Sequence, residues 1–123
     1  MKWEFLKVKD LPRSIRKAVK AVDPAGARRR QYMITLVESV KVPVSYWDGG
    51  SRTHLDAVGL DGTPVKMPTA YQPGGHFSNP NTWVEPTYDI PDGVIVVQHG
   101  ITCGRTSFPH LRMSQGTWDK ANR

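Results

Sequence analysis

Residues 10–24 have the sequence DLPRSIRKAVKAVDP, in which the apolar positions follow the spacing of an amphipathic helix. The apolar residues that share one helical face are Leu11, Ile15, Ala18, Val19 and Val22. Asp10 is a candidate N-cap, and Pro12 is tolerated in the first turn, where its missing N–H would have no helical partner. The residue before Pro24 is pushed out of the α region, which ends the helix. The pattern predicts a helix over about residues 11–22.

The opposite face of this predicted helix is basic, and an arginine run follows it. Its cations are Arg13, Arg16, Lys17 and Lys20, and the run comprises Arg28, Arg29 and Arg30. Residues 1–30 hold ten Lys or Arg against three acids, whereas residues 31–123 hold seven against eight. The whole net charge of +6 therefore originates in the first quarter of the chain. This asymmetry indicates an attachment surface for an anionic partner, with a solvated helix face as the alternative.

The rest of the chain has the composition of short strands and turns. Residues 31–42 are rich in Ile, Val, Thr and Tyr, which favours a strand. Asp-Gly turn signals at 48–50 and 61–62 predict further strands at about 52–60 and 63–67. Residues 94–98 are the most apolar run and predict a central strand. An edge strand is expected around 106–113, because Pro109 fits an edge better than a centre.

Residues 68–93 contain five of the ten prolines and three glycines, which predicts a long loop. The length suits a single domain over residues 1–123. Within it we expect a basic helical arm and linker (1–30), a β-rich core (31–113) and a loose C-terminal tail (114–123). The expected fold class is α+β, with an N-terminal amphipathic helix packed on a small, curled antiparallel β-sheet of four to six strands.

The turn sequence WDGGSR, from Trp47 to Arg52, is the sharpest local motif. Successive backbone N–H groups around its two glycines could form an anion-binding nest, and Tyr46 or Trp47 could stack on a base. The motif lacks the GxxxxGK[ST] pattern of a P-loop. A plain hairpin turn with aromatic residues packed beside it is the alternative.

The histidines and the single cysteine do not form a recognisable metal or catalytic motif. His99 and Cys103 have the x3 spacing of paired zinc ligands, and His110, His54 or His76 would have to complete such a site. No third member accompanies Cys103 as a nucleophile. We therefore expect no metal, no cofactor and no enzymatic activity.

Two further expectations concern the acidic turn and the compartment. Asp89 and Asp92 flank Ile90-Pro91 in a turn-like sequence, which is typical of structural rather than catalytic carboxylates. No run of about 18 apolar residues could span a bilayer, and no apolar signal region begins the chain. One cysteine cannot build an internal disulfide. These features favour a cytoplasmic protein that does not bind membranes.

The order LPRSIRKAV, a strand ending in ESV, YWDGGSR, LDG and YDIPDGVIVVQHG resembles a group of small uncharacterised proteins from bacteriophage and prophage genomes. The resemblance covers roughly residues 10–113. It implies a viral origin, an accessory role and, in an infected bacterium, a cytoplasmic location. It implies no functional residues.

The expected function is non-enzymatic binding of a phosphate-bearing partner, either nucleic acid or a nucleotide. The binding residues would be Arg13, Arg16, Lys17, Lys20, Arg28, Arg29, Arg30, Trp47 and Arg52. One alternative is a protein-interaction module that inhibits a host enzyme through the same basic surface. The other is a virion or assembly component that self-associates.

Overall fold

The computed structural model describes residues 2–24, 31–42, 55–71, 84–98 and 110–123, which form two helices and eight strands. The helices are α1 (Arg13–Val22) and α2 (Gln115–Ala121). The strands are β1 (Lys2–Lys7), β2 (Gln31–Leu36), β3 (Ser39–Lys41), β4 (Leu55–Gly59), β5 (Pro64–Val65), β6 (Thr87–Asp89), β7 (Val94–Gln98) and β8 (His110–Met113). The expected α+β class is confirmed. Within these residues, neither helix is long and apolar enough to cross a membrane.

Six of the described strands form a mixed sheet in the order β1-β2-β8-β7-β4-β5, and β3 pairs with β6 in a separate two-stranded sheet. β2 runs parallel to β8, with Met33 beside His110 and Leu36 beside Met113. The other neighbouring strands are antiparallel. The prediction of an antiparallel sheet was therefore wrong. A parallel pair needs a long crossover connection, which turn signals in the sequence do not predict.

The strand predicted to be central, β7, does lie inside the sheet, between β8 and β4. Ile95, Val96 and Val97 are all fully buried, because both faces of this strand are covered. The prediction of an edge strand at the end of the chain was wrong for the described part, since β8 lies between β2 and β7. Only β8 itself is described there, so the outcome does not extend to residues 106–109.

Each face of the large sheet packs on its own hydrophobic core. The first core contains Leu11, Ile15, Ala18, Val19, Tyr32, Ile34, Val58, Ile95, Val97, Leu111 and Met113. The second core contains Val40, Ala57, Ile90 and Val96. Alternate residues of β7 belong to different cores, as the two-residue period of a strand requires. Both helices pack on the first face, and the two-stranded sheet covers part of the second.

Helix α1 buries the predicted apolar stripe, since Leu11, Ile15, Ala18 and Val19 are at most 4% exposed. Its N-cap is Pro12, which provides no side-chain cap, so the proposed capping by Asp10 was wrong. Asp10 instead ends a turn of 3-10 helix that precedes α1. A helix as the first element is not confirmed, because β1 comes first and pairs with β2 along its whole length.

The predicted strand at 31–42 is divided in two, because the chain crosses from one core to the other. Leu36 at the end of β2 packs on the first core, whereas Val40 in β3 belongs to the second. Similarly, the loop predicted at 68–93 contains β6, which pairs with β3. Residues 72–83 of that loop lie outside the described residues.

The segment expected to be a loose tail instead contains helix α2. Ser114 caps this helix by accepting a hydrogen bond from the Thr117 amide (3.1 Å). Thr117 is fully buried, and Trp118 and Ala121 pack on the first core. Burial against the core explains how so short and polar a sequence forms a helix.

Candidate functional site

The sequence-predicted cations of α1 lie together on the solvent side of the helix. Arg13, Arg16, Lys17 and Lys20 are all exposed, and we call these four residues the basic face. In the described part of the chain, none of the four side chains forms an ion pair or a side-chain hydrogen bond. The four cations are therefore available to a partner.

The orientation of the basic face is fixed by the opposite side of the same helix. Ile15 and Val19 are buried against the sheet, and α1 contacts both β4 and β7. A helix held by its apolar stripe cannot rotate to hide its charges without exposing the stripe. The cation positions at i, i+3, i+4 and i+7 consequently form one strip, about 10 Å long at 1.5 Å per residue.

The charge of Arg13 and the repulsion among the cations of the basic face oppose the intrinsic preferences of the helix. Segment Arg13–Val22 contains no acidic residue, so no carboxylate on α1 offsets its cations. Arg13 is the first helical residue, where the positive end of the helix dipole disfavours a cation by about 0.3–1 kcal/mol. Each pair of like charges three or four residues apart destabilises the helix further, by about 0.2–0.5 kcal/mol. An anionic partner would relieve this repulsion.

Several predicted binding residues fall outside the described parts of the chain. These are Arg28, Arg29 and Arg30 of the arginine run, and Trp47 and Arg52 of the turn motif. Their part in binding stays a prediction. Closer to α1, Lys7 and Lys9 are described and exposed, and both lie in the segment that leads into α1.

The possible metal ligands are mostly outside the described residues as well, namely His54, His76, His99 and Cys103. His110 is described and lies in β8, where burial, followed by the nearby charge of Arg112, lowers its pKa. The described residues contain no group of three or more His, Cys, Asp or Glu placed to hold a metal.

The two carboxylates expected to be turn residues have different positions. Asp89 is the last residue of β6, so its assignment to a turn was wrong. Asp92 does lie in the turn before β7, where its carboxylate accepts a hydrogen bond from the Ser114 hydroxyl. That contact gives Asp92 a structural role.

A second candidate site, which the sequence did not predict, is a cavity between the two sheets. Its volume is about 230 Å³, and it is partly open to solvent. Its polar lining residues are Thr35, Ser39, Lys41, Gln98 and Arg112, and its apolar ones are Val37, Val40 and Leu55. We call it the inter-sheet cavity. It lies on the second face of the large sheet, opposite α1.

The signal for this cavity in the sequence is weak. In β8, Leu111 and Met113 are buried in the first core, so strand alternation places His110 and Arg112 on the second face. Gln98 ends the apolar run of β7, and alternation with Val97 places it on the second face as well. These residues become neighbours only through strand pairing, which sequence periodicity does not specify.

No protein-family model, curated protein or solved structure matches this chain.

Proposed function

We propose that this protein is a non-enzymatic, phage-type accessory protein that binds nucleic acid through the basic face of α1. The observation that supports the proposal is the exposed strip formed by Arg13, Arg16, Lys17 and Lys20, which has no acidic residue among it. Lys and Arg arranged in this way neutralise phosphates and release their counterions. The proposal includes a cytoplasmic location, where nucleic acid is accessible.

The length of the strip favours nucleic acid over a single nucleotide. Arg13 and Lys20 are seven residues apart, which corresponds to about 10 Å along the helix axis. Adjacent phosphates of one nucleotide cannot reach both ends of such a strip. A nucleic acid strand presents a phosphate about every 3.4 Å of its axis and can engage the whole face.

The test is fluorescence anisotropy with labelled duplex DNA, single-stranded DNA and RNA of 20 nucleotides over a range of salt concentrations. The key variant combines Arg16→Gln, Lys17→Gln and Lys20→Gln. Its matched control combines Arg123→Gln, Lys66→Gln and Lys120→Gln, which removes the same types of charge from exposed positions outside α1. Both variants therefore have the same net charge.

For duplex DNA, the slope of log K against log salt should become shallower by about 2.7 in the α1 variant, because each of the three removed cations accounts for about 0.9 of the slope. The control should retain most of the slope. Equal reductions in both variants would refute a specific face, because net charge alone would then explain the binding. If the wild type bound none of the three nucleic acids at 50 mM salt, the proposal would be wrong. Nuclease-resistant binding to an acidic host protein would then be the next proposal to test for the basic face.

A further inference from the structure

Arg112 is placed in the inter-sheet cavity by the pairing of three strands. In the sheet register it lies beside Thr35 of β2 on one side and Val96 of β7 on the other. Both of its neighbours in β8, Leu111 and Met113, are fully buried in the opposite core. The arginine side chain therefore projects from the second face, beneath the two-stranded sheet.

The guanidinium of Arg112 has unused hydrogen-bonding capacity. One terminal nitrogen, Nη1, donates to Oε1 of Gln98 at 2.6 Å. A guanidinium carries five N–H donors, and among the described residues Gln98 is its one side-chain acceptor. An amide oxygen also leaves the positive charge without a counter-charge. Burial lowers the pKa of Arg112, so its charge is held at a desolvation cost.

The described part of the cavity lining is positively charged. Among the described residues that line the cavity, Lys41 and Arg112 are cationic and none is acidic. Two described carboxylates neighbour the lining residue Ser39 but do not line the cavity. Asp89 pairs with Ser39 across the small sheet but is exposed and outside the lining, and Glu38 is likewise exposed. Two cations without a carboxylate favour an anionic occupant.

We propose that the inter-sheet cavity binds a small organic oxyanion, with its charged group on Arg112 and its apolar part against Val37, Val40 and Leu55. The planar guanidinium suits the bidentate recognition of a carboxylate or phosphate. Lys41 supplies a second positive charge, and the hydroxyls of Thr35 and Ser39 supply further hydrogen bonds. A volume of about 230 Å³ lies below the roughly 300 Å³ at which pockets for drug-sized ligands begin, so the ligand is small.

This site is independent of the basic face, because α1 packs on the first face of the large sheet and the cavity opens on the second. The two proposals therefore make opposite predictions for the same variants. The triple α1 variant, with Arg16→Gln, Lys17→Gln and Lys20→Gln, should retain oxyanion binding in full. An Arg112 variant should retain nucleic acid binding.

The test is isothermal titration calorimetry of the full chain with butyrate and butyl phosphate, which share an apolar tail and differ in the anionic group. Acetate and inorganic phosphate test the tail, and butylamine tests the charge. We expect at least one of the two tailed anions to bind, at least threefold more tightly than its tailless counterpart, and butylamine not to bind. Tighter binding of butyrate or of butyl phosphate shows whether the site prefers a carboxylate or a phosphate group. Failure of both tailed anions to bind at 10 mM would overturn the proposal, and so would equal binding of butylamine.

The variant Arg112→Met should abolish binding of the tailed anion, whereas Arg13→Met, the same change on the opposite side of the sheet, should leave it intact. Removal of a desolvated charge is compatible with folding. If Arg112→Met does not fold, Lys41→Gln tests the site instead, because Lys41 is exposed and its substitution should leave the fold intact. Lys41→Gln should weaken binding at least threefold, whereas its control Lys66→Gln should not. Undiminished affinity in Arg112→Met, or in Lys41→Gln, would contradict the assigned site.

Discussion

The hydroxyl of Ser114 donates a hydrogen bond to Oδ1 of Asp92 at 2.5 Å, which joins the start of α2 to the turn before β7. The same turn is held a second time, because the amide of Gly93 donates to Oγ1 of Thr117 at 2.8 Å. Ser114 and Thr117 also contact each other through their hydroxyl oxygens at 2.9 Å. Two hydrogen bonds therefore join the C-terminal helix to the turn before β7. Each connects residues that lie far apart in sequence, by 22 and 24 positions.

Ser114→Ala should lower the free energy of unfolding by about 1–2 kcal/mol, because it removes the N-cap of α2 and leaves Asp92 without its hydroxyl donor. Urea denaturation followed by circular dichroism measures the change. Gln115→Ala is the matched control, since its side chain makes an exposed hydrogen bond to Asp119 within the same helix. The control should stay within about 0.5 kcal/mol of wild type. Equal destabilisation of both variants would show that the cap and the bond to Asp92 together contribute no more than the exposed hydrogen bond of Gln115.

Gly116→Ala tests the close approach of Asp92 to α2. A Cβ atom at Gly116 would lie 2.7 Å from both carboxylate oxygens of Asp92. Alanine normally stabilises a helix by up to about 1 kcal/mol relative to glycine, but here the carboxylate must move away and lose its bond to Ser114. Gly116→Ala should therefore be about 1 kcal/mol more favourable in an Asp92→Ala background than in wild type. Additive effects in this double-mutant cycle, measured by urea denaturation, would contradict the prediction.

The same region explains why the end of the chain was the least predictable part of the fold. The segment from Ser114 to Ala121 is polar and contains a glycine, so neither propensity nor periodicity favours a helix strongly. Its stability derives from burial against the first core and from the hydrogen bond to Asp92, both of which depend on residues distant in sequence. By contrast, the apolar period that predicts α1 repeats within one local segment, residues 11–22. The helix itself, Arg13–Val22, was therefore predicted nearly to its boundaries.

The two candidate sites also differ in whether a local sequence pattern or contacts between distant residues define them. The basic face follows from helical spacing within one segment, so Arg13, Arg16, Lys17 and Lys20 were grouped correctly on the exposed side. The inter-sheet cavity depends on the register of β8 between β2 and β7, which brings Arg112 beside Thr35. Strand pairing over such sequence distances depends on the global fold, and no local pattern encodes it.

Tyr32→Phe should leave the protein at least as stable as wild type at pH 7, despite the loss of a polar group. The Tyr32 ring is buried, and its hydroxyl has no hydrogen-bond partner among the described residues. A buried donor without a partner costs about 1–3 kcal/mol, and phenylalanine removes that cost. Urea denaturation at pH 7 measures the difference. A destabilisation of more than about 1 kcal/mol would show that the hydroxyl has a stabilising contact.

The same substitution should change the response to alkali. Burial raises the pKa of Tyr32 well above its ordinary value near 10, and the charge of Asp23 raises it further. The native state therefore resists ionisation of this phenol, whereas the unfolded state ionises near pH 10. The resulting stability is fully present below pH 10 and is lost as the pH rises above it, by up to about 1.4 kcal/mol per pH unit.

Relative to wild type, Tyr32→Phe should consequently become more stable between pH 10 and 11. Tyr71→Phe is the control, because Tyr71 is 54% exposed and therefore lacks the burial that acts on Tyr32. Its stability relative to wild type should not change over that range. A parallel response of the two variants would disprove the effect of burial.

Arg13→Glu separates the stability of α1 from the binding proposed for it. The substitution places a carboxylate at the positive end of the helix dipole, where Pro12 supplies no side-chain cap. The new carboxylate also lies four residues before Lys17, the favourable order for an ion pair on a helix. Together these effects should raise the free energy of unfolding by about 1 kcal/mol, which urea denaturation measures.

If the basic face binds nucleic acid, Arg13→Glu should also weaken that binding at least fivefold, because it replaces an attractive charge with a repulsive one. Fluorescence anisotropy on the same samples measures the affinity. Arg123→Glu is the control for net charge, and it should reduce the affinity much less. A variant that is more stable but binds more weakly would mean that Arg13 contributes to binding at a cost to the stability of α1. A variant with unchanged affinity would remove Arg13 from the binding surface.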